Sequence, residues 1–82
     1  MKDARLILEH VLNERLAQEN KWGEQNHTDE IWLAILTEEI GEVAKAILEG
    51  TSITDELVQV AAVAVAWHEC IWHRRKEGGS HA

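Results

Sequence analysis

Apolar residues recur at intervals of three and four through most of the chain. Ile7, Leu8, Val11, Leu12 and Leu16 mark one side of a first helix over about residues 3 to 21, with Glu9, Asn13, Glu14 and Gln18 on its wet side. Residues 22 to 28, Trp-Gly-Glu-Gln-Asn-His-Thr, break the pattern as a polar connector. Asn26 or Thr28 can cap the next helix, and Asp29 and Glu30 favour the positive end of a helix dipole. That second helix runs over about 29 to 49 and stops at Gly50, a suitable residue just past a helix end. Ser52 or Thr54 caps the third, which carries Asp55 and Glu56 in its first turn and continues to about residue 76.

The third helix is apolar on every side from Val60 to Trp67. Such a helix must be covered all round. Two other helices of an 82-residue chain do that poorly, because so small a chain removes little surface from water. The pattern therefore predicts an all-α fold: a bundle of about three helices per chain, completed by a second copy. Residues 1–77 form a single domain, and 78–82 are expected to be a disordered tail. The chain has no proline, and its helix formers Ala, Leu, Glu and Ile agree with that class.

Charge narrows the function. Eight Lys and Arg stand against 15 Asp and Glu, a net charge of −7, which disfavours binding to nucleic acid or to an anionic membrane face. A single cysteine excludes an intramolecular disulfide and a Cys-rich zinc site. No apolar run reaches the roughly 20 residues of a membrane span, and the charged start lacks a leader's apolar stretch. A cytoplasmic setting is the default expectation.

Three carboxylates of the second helix interrupt its apolar face. Successive helical residues are about 100° apart, which places Glu39 about 60° from the middle of the arc set by Leu36, Val43 and Ile47. Glu42 lies at the edge of the arc, and Glu38 neighbours Glu42 one turn away. Inward carboxylates that lack a partner cost several kcal/mol, and close pairs repel. Lys45 is the nearby cation on this helix. A divalent ion is the economical counter-charge, and oxygen ligands point to Mg²⁺ or Mn²⁺. Glu56 and Gln59 share a face of the third helix. Packed antiparallel across the short Gly50 turn, they meet Glu39 and Glu42. The plain alternative is a solvated acidic face, which is common.

Glu38-Glu39-Ile40-Gly41-Glu42, thirteen residues, then Glu56-Leu57-Val58-Gln59 resembles the signature of the MazG-like, all-α nucleoside triphosphate pyrophosphohydrolases: Glu-Glu-x-x-Glu, a spacer, then Glu-x-x-Asp. Lys21-Trp22-Gly23-Glu24-Gln25-Asn26-His27, followed by Trp32-Leu33-Ala34-Ile35-Leu36, is also similar to small MazG-like proteins of bacteria and phages, so the resemblance covers about residues 14 to 75. It implies cleavage of an NTP or dNTP between the α and β phosphates, with Glu39, Glu42 and Glu56 as Mg²⁺ ligands. It implies that Glu38 orients the attacking water or holds a second ion, and that the protein is a homodimer or homotetramer. The sequence departs from the pattern at Gln59, which offers a neutral oxygen where the family has Asp.

On that reading Trp22 or Trp32 stacks on the base, and Gln25, Asn26 and His27 bond its edge. In related dCTP-hydrolysing members a histidine at the position of His27 lies near the nucleotide. Lys45 is placed in the same substrate site. Core packing is the alternative for both tryptophans. Arg74, Arg75 and Lys76 meet phosphates or simply suit a helix C-terminus. Gly41, unfavourable within a helix, suggests close approach of a neighbour or ligand. His68 and His73 point about 140° apart and do not share a zinc; Cys70 reads as a small buried apolar residue. The rival to hydrolysis is a non-catalytic nucleotide-binding or self-associating helical module of the same fold.

Overall fold

A computed structural model describes residues 1–78. It is all-helical: α1 spans Ala4–Trp22, α2 Asp29–Glu49 and α3 Ile53–Gly78. Of the expected tail, Gly78 ends α3, and residues 79–82 lie outside the described residues. Among the described residues no helix is long and apolar enough to cross a membrane.

The helix ends follow local chemistry. The Thr28 hydroxyl accepts from the Ile31 N–H at 3.3 Å and so caps α2. At the other end Gly50 takes φ 71°, a left-handed conformation in which its N–H bonds the Ala46 and Ile47 carbonyls. Ser52 Oγ accepts from the Asp55 N–H at 3.4 Å at the start of α3. Trp22 is the last residue of α1, one turn-step later than its polar neighbours suggest, and Gly23 stops the helix at φ 72° with its N–H on the Glu19 carbonyl.

α2 and α3 form a hairpin, and α1 packs on α3 but not on α2. Trp32, Val63 and Cys70 make the central buried cluster, with Ile35, Leu36, Ala66 and Trp67 around it. At the end of the hairpin remote from Gly50, the Trp67 indole donates to Asp29 Oδ1 at 3.0 Å. Arg74 bonds the same oxygen at 3.4 Å and the His27 carbonyl at 3.2 Å. The Trp67 hydrogen bond, opposed by burial and helped by Arg74, holds the Asp29 carboxyl below its ordinary pKa. Arg74 is thus neither a free helix-end charge nor a free phosphate ligand. It clamps the connector and the start of α2 to α3.

Two sequence expectations are corrected by the packing. The apolar side of α1 does not face the chain's own core. Leu8, Leu12 and Leu16, four apart on one ridge, are 65%, 56% and 59% exposed. The side of α1 against α3 is instead Val11, Glu14, Arg15 and Gln18, two of them assigned to water by the periodicity. Arg15 makes this possible, because its guanidinium bonds Glu69 Oε1 on α3 at 2.9 Å together with Glu19 and Gln18 on its own helix. The fold of one chain therefore leaves a leucine ridge uncovered.

The second correction concerns Gly41. A Cβ there would meet nothing within 4 Å, so no close approach within the chain requires glycine. Gly41→Ala should accordingly stabilise the isolated subunit by up to about 1 kcal/mol, read from urea unfolding. A loss of stability or of self-association instead would place a second copy or a ligand against this residue.

Candidate functional site

Because α1 and α2 diverge above α3, they leave a cleft of about 280 Å³. Arg15, Gln18 and Trp22 wall it from α1, while Trp32, Ile35 and Glu39 wall it from α2. Gln59, Val63, Glu69, Cys70 and His73 line it from α3, and Gln25 and Asn26 from the connector. Hence one end is acidic and amide-bearing, and the other combines a tryptophan face with amide groups.

Glu39 belongs to the stripe Trp32, Leu36, Glu39, Val43, Ala46, spaced at three and four and turned toward α3. It is half-buried, whereas Glu38 and Glu42 are exposed and Glu56 is half-buried on α3. Burial raises the Glu39 pKa above its ordinary value. Repulsion by Glu56, then Glu38, Glu42 and Glu14, adds to the rise. Four of these carboxylates are the ones singled out by spacing. Glu14 is the fifth, and its position comes from the inverted packing of α1.

Among the described residues no three His, Cys, Asp or Glu side chains are gathered closely enough to hold an ion. The donor set nevertheless fits a hard divalent cation. Five carboxylates bear on one point with their charges unbalanced, and they come from all three helices. Glu39, Glu42 and Glu56 are the residues that can hold such an ion.

Gln59 is engaged elsewhere. Its Oε1 accepts from Gln18 Nε2 at 3.4 Å, and the same Gln18 amide donates to Glu14 Oε2 at 3.2 Å. Gln18 Oε1 in turn accepts from Arg15 at 2.9 Å. An amide relay therefore ties α1 to α3 at the position where the resembling family carries an acid.

The residues proposed for the base are divided. Trp22, Gln25 and Asn26 line the cleft, and Trp22 is 58% exposed, leaving a ring face open for stacking. Trp32 is a core residue at 3% exposure, with only an edge on the cleft. His27 packs edge-on against Trp32 at 4.8 Å and lines a shallower neighbouring depression with Asp29 and Arg74. Lys45 is exposed and does not line the cleft.

Arg15, Gln18 and Glu69 line the cleft but escape the sequence reading. Arg15 has one visible signal, since it stands four residues before Glu19 and four after Val11, but its partner on α3 is a tertiary fact. Comparison with family models, with characterised proteins and with solved structures finds no match to this chain.

Proposed function

We propose that the chain is a Mg²⁺-dependent nucleoside triphosphate pyrophosphohydrolase that acts on an NTP or dNTP as a self-associated helical bundle. One observation carries the reading: Glu39, half-buried, is opposed by Glu56, Glu38, Glu42 and Glu14 beside a cleft that ends in an exposed tryptophan. An acidic protein has no electrostatic means of its own to hold a triphosphate. When bound, Mg²⁺ supplies charge neutralisation to carboxylates and phosphate oxygens alike. Glu39, Glu42 and Glu56 hold it, and Glu38, exposed beside them, orients water for in-line attack. Trp22 stacks on the base, and the Gln25 and Asn26 amides bond its edge. Arg15, already balanced by Glu69 and Glu19, keeps the cleft's wall in place.

The surface area of one chain supports self-association. A compact monomer of 9.3 kDa has an accessible area of about 5000 Å². This chain has 6383 Å². The surplus exceeds the roughly 800 Å² that each partner contributes to an ordinary stable interface. The leucine ridge of α1 and the row Leu33, Ile40, Ile47 on α2 are the apolar part of it, at 49% exposure or more.

The test is pyrophosphate release from a panel of NTPs and dNTPs with Mg²⁺. We expect release from at least one of them, and loss of at least about a hundredfold in Glu56→Ala. Absence of release from every nucleotide, with no rise in melting temperature on adding Mg²⁺, disposes of the hydrolase. Nucleotide binding that survives Glu56→Ala without turnover favours the non-catalytic module, the reading that Gln59's engagement with Gln18 supports.

A further inference from the structure

Cys70 is the chain's one cysteine and sits in the wall between the two depressions. It is 6% exposed. Its surroundings are unusually polar for a core thiol. Arg74 Nη2 lies 3.7 Å from the sulfur, and the thiol faces the His27 carbonyl at 3.7 Å and Asn26 Oδ1 at 3.8 Å. Trp32 approaches from α2. Its Nε1 is buried and has no hydrogen-bond acceptor, in a residue only 3% exposed. A buried N–H left without an acceptor costs about 1–3 kcal/mol, so native proteins rarely leave one idle. This N–H is turned to the sulfur. Although burial opposes ionisation of the thiol, the Trp32 and His27 hydrogen bonds and the Arg74 guanidinium outweigh it and lower the Cys70 pKa.

We infer that Cys70 is a peroxide-oxidisable thiol, and that the oxygen it gains is held by the Trp32 indole N–H and the Arg74 guanidinium. Solvent scarcely reaches Nε1, so an acceptor carried by the sulfur itself is the one that can satisfy it. The sulfur lone pair attacks one oxygen of hydrogen peroxide, forming an S–O bond as the O–O bond breaks. The departing hydroxide takes the thiol proton and leaves as water. Sulfur is oxidised to the sulfenic level, and the peroxide is reduced. A sulfenic acid normally condenses with a second thiol. Here the chain has no other cysteine and the sulfur is buried, so the oxidised form persists. Cys70 oxidation requires neither nucleotide nor metal and stands whether or not the chain hydrolyses triphosphates.

The full chain is treated with hydrogen peroxide, then with dimedone, and the adduct is mapped by peptide mass spectrometry, which separates it from oxidation of Met1. We expect Cys70 to be labelled at least about threefold faster in the folded chain than in urea, and Arg74→Gln to remove that advantage. The Trp32 indole N–H resonance should shift on oxidation. Trp32→Phe identifies that resonance and, where it folds, shortens the life of the trappable species. Arg74→Gln serves as the variant that leaves the core intact. Labelling of Cys70 only after unfolding, or oxidation that leaves the indole resonance unmoved, overturns the assignment.

Discussion

Glu39→Gln should abolish pyrophosphate release, by at least about a hundredfold, while raising the melting temperature of the metal-free chain. The opposite signs come from one cause. Glu39 is half-buried among like charges, and its folded pKa lies above the ordinary carboxylate value because of burial first and then Glu56, Glu38, Glu42 and Glu14. Replacing a charge by an amide of the same shape relieves several repulsions of about 0.2–0.5 kcal/mol each, a gain of about 2–4 °C in so small a domain.

The pH dependence has a definite sign. A carboxyl whose pKa is raised on folding binds its proton more tightly in the native state. Its contribution is fully present below the unfolded-state pKa and is lost as pH rises through the folded value. The stability advantage of Glu39→Gln therefore opens as pH rises across that interval and is complete at neutrality. Adding Mg²⁺ at neutral pH should reverse the order, stabilising the wild-type chain more than the variant. Calorimetric scans at several pH values, with and without Mg²⁺, check all three statements. Equal melting temperatures throughout would return these carboxylates to the class of solvated surface charge.

The second large effect concerns the leucine ridge. In analytical ultracentrifugation the wild-type chain should sediment as a dimer or larger species at micromolar concentration. Leu12→Glu, at a residue that is 56% exposed in one subunit, should yield a monomer. Losing a buried leucine forfeits about 1.5–3 kcal/mol, and a charge in its place adds a desolvation penalty. The melting temperature should fall by about 10 °C or more. The radius of gyration of 14.2 Å, against about 12 Å for a compact domain of this length, shows how little of the chain is enclosed by itself. A wild-type monomer, or a variant melting with the wild type, would leave the exposed ridge without a role.

Self-association and the acidic site are linked through the same helix. Turning its leucines outward brings Glu14, Arg15 and Gln18 onto α3, adding a fifth carboxylate opposite Glu39 and committing Gln59 to Gln18. A variant that repaired the core of a single subunit by turning α1 round would dismantle this arrangement.

Helix number, helix ends and the inward lean of Glu39 are written in the sequence, because each depends on residues within one or two turns. Thr28 caps the backbone three residues on, Gly50 reverses its own φ, and the 100° step places Glu39 on the stripe with Leu36 and Val43. The orientation of α1 is of another kind. Periodicity finds its apolar side but not what that side meets, since hydrophobic burial is non-directional and a second copy satisfies it as well as the chain's own α3. Arg15 reaching Glu69, Gln18 reaching Gln59 and Trp32 turning its N–H to Cys70 join residues far apart in the chain. Only the packing of the three helices decided those pairings, because side-chain bonds depend on separations of a few ångströms that no spacing along a single helix encodes.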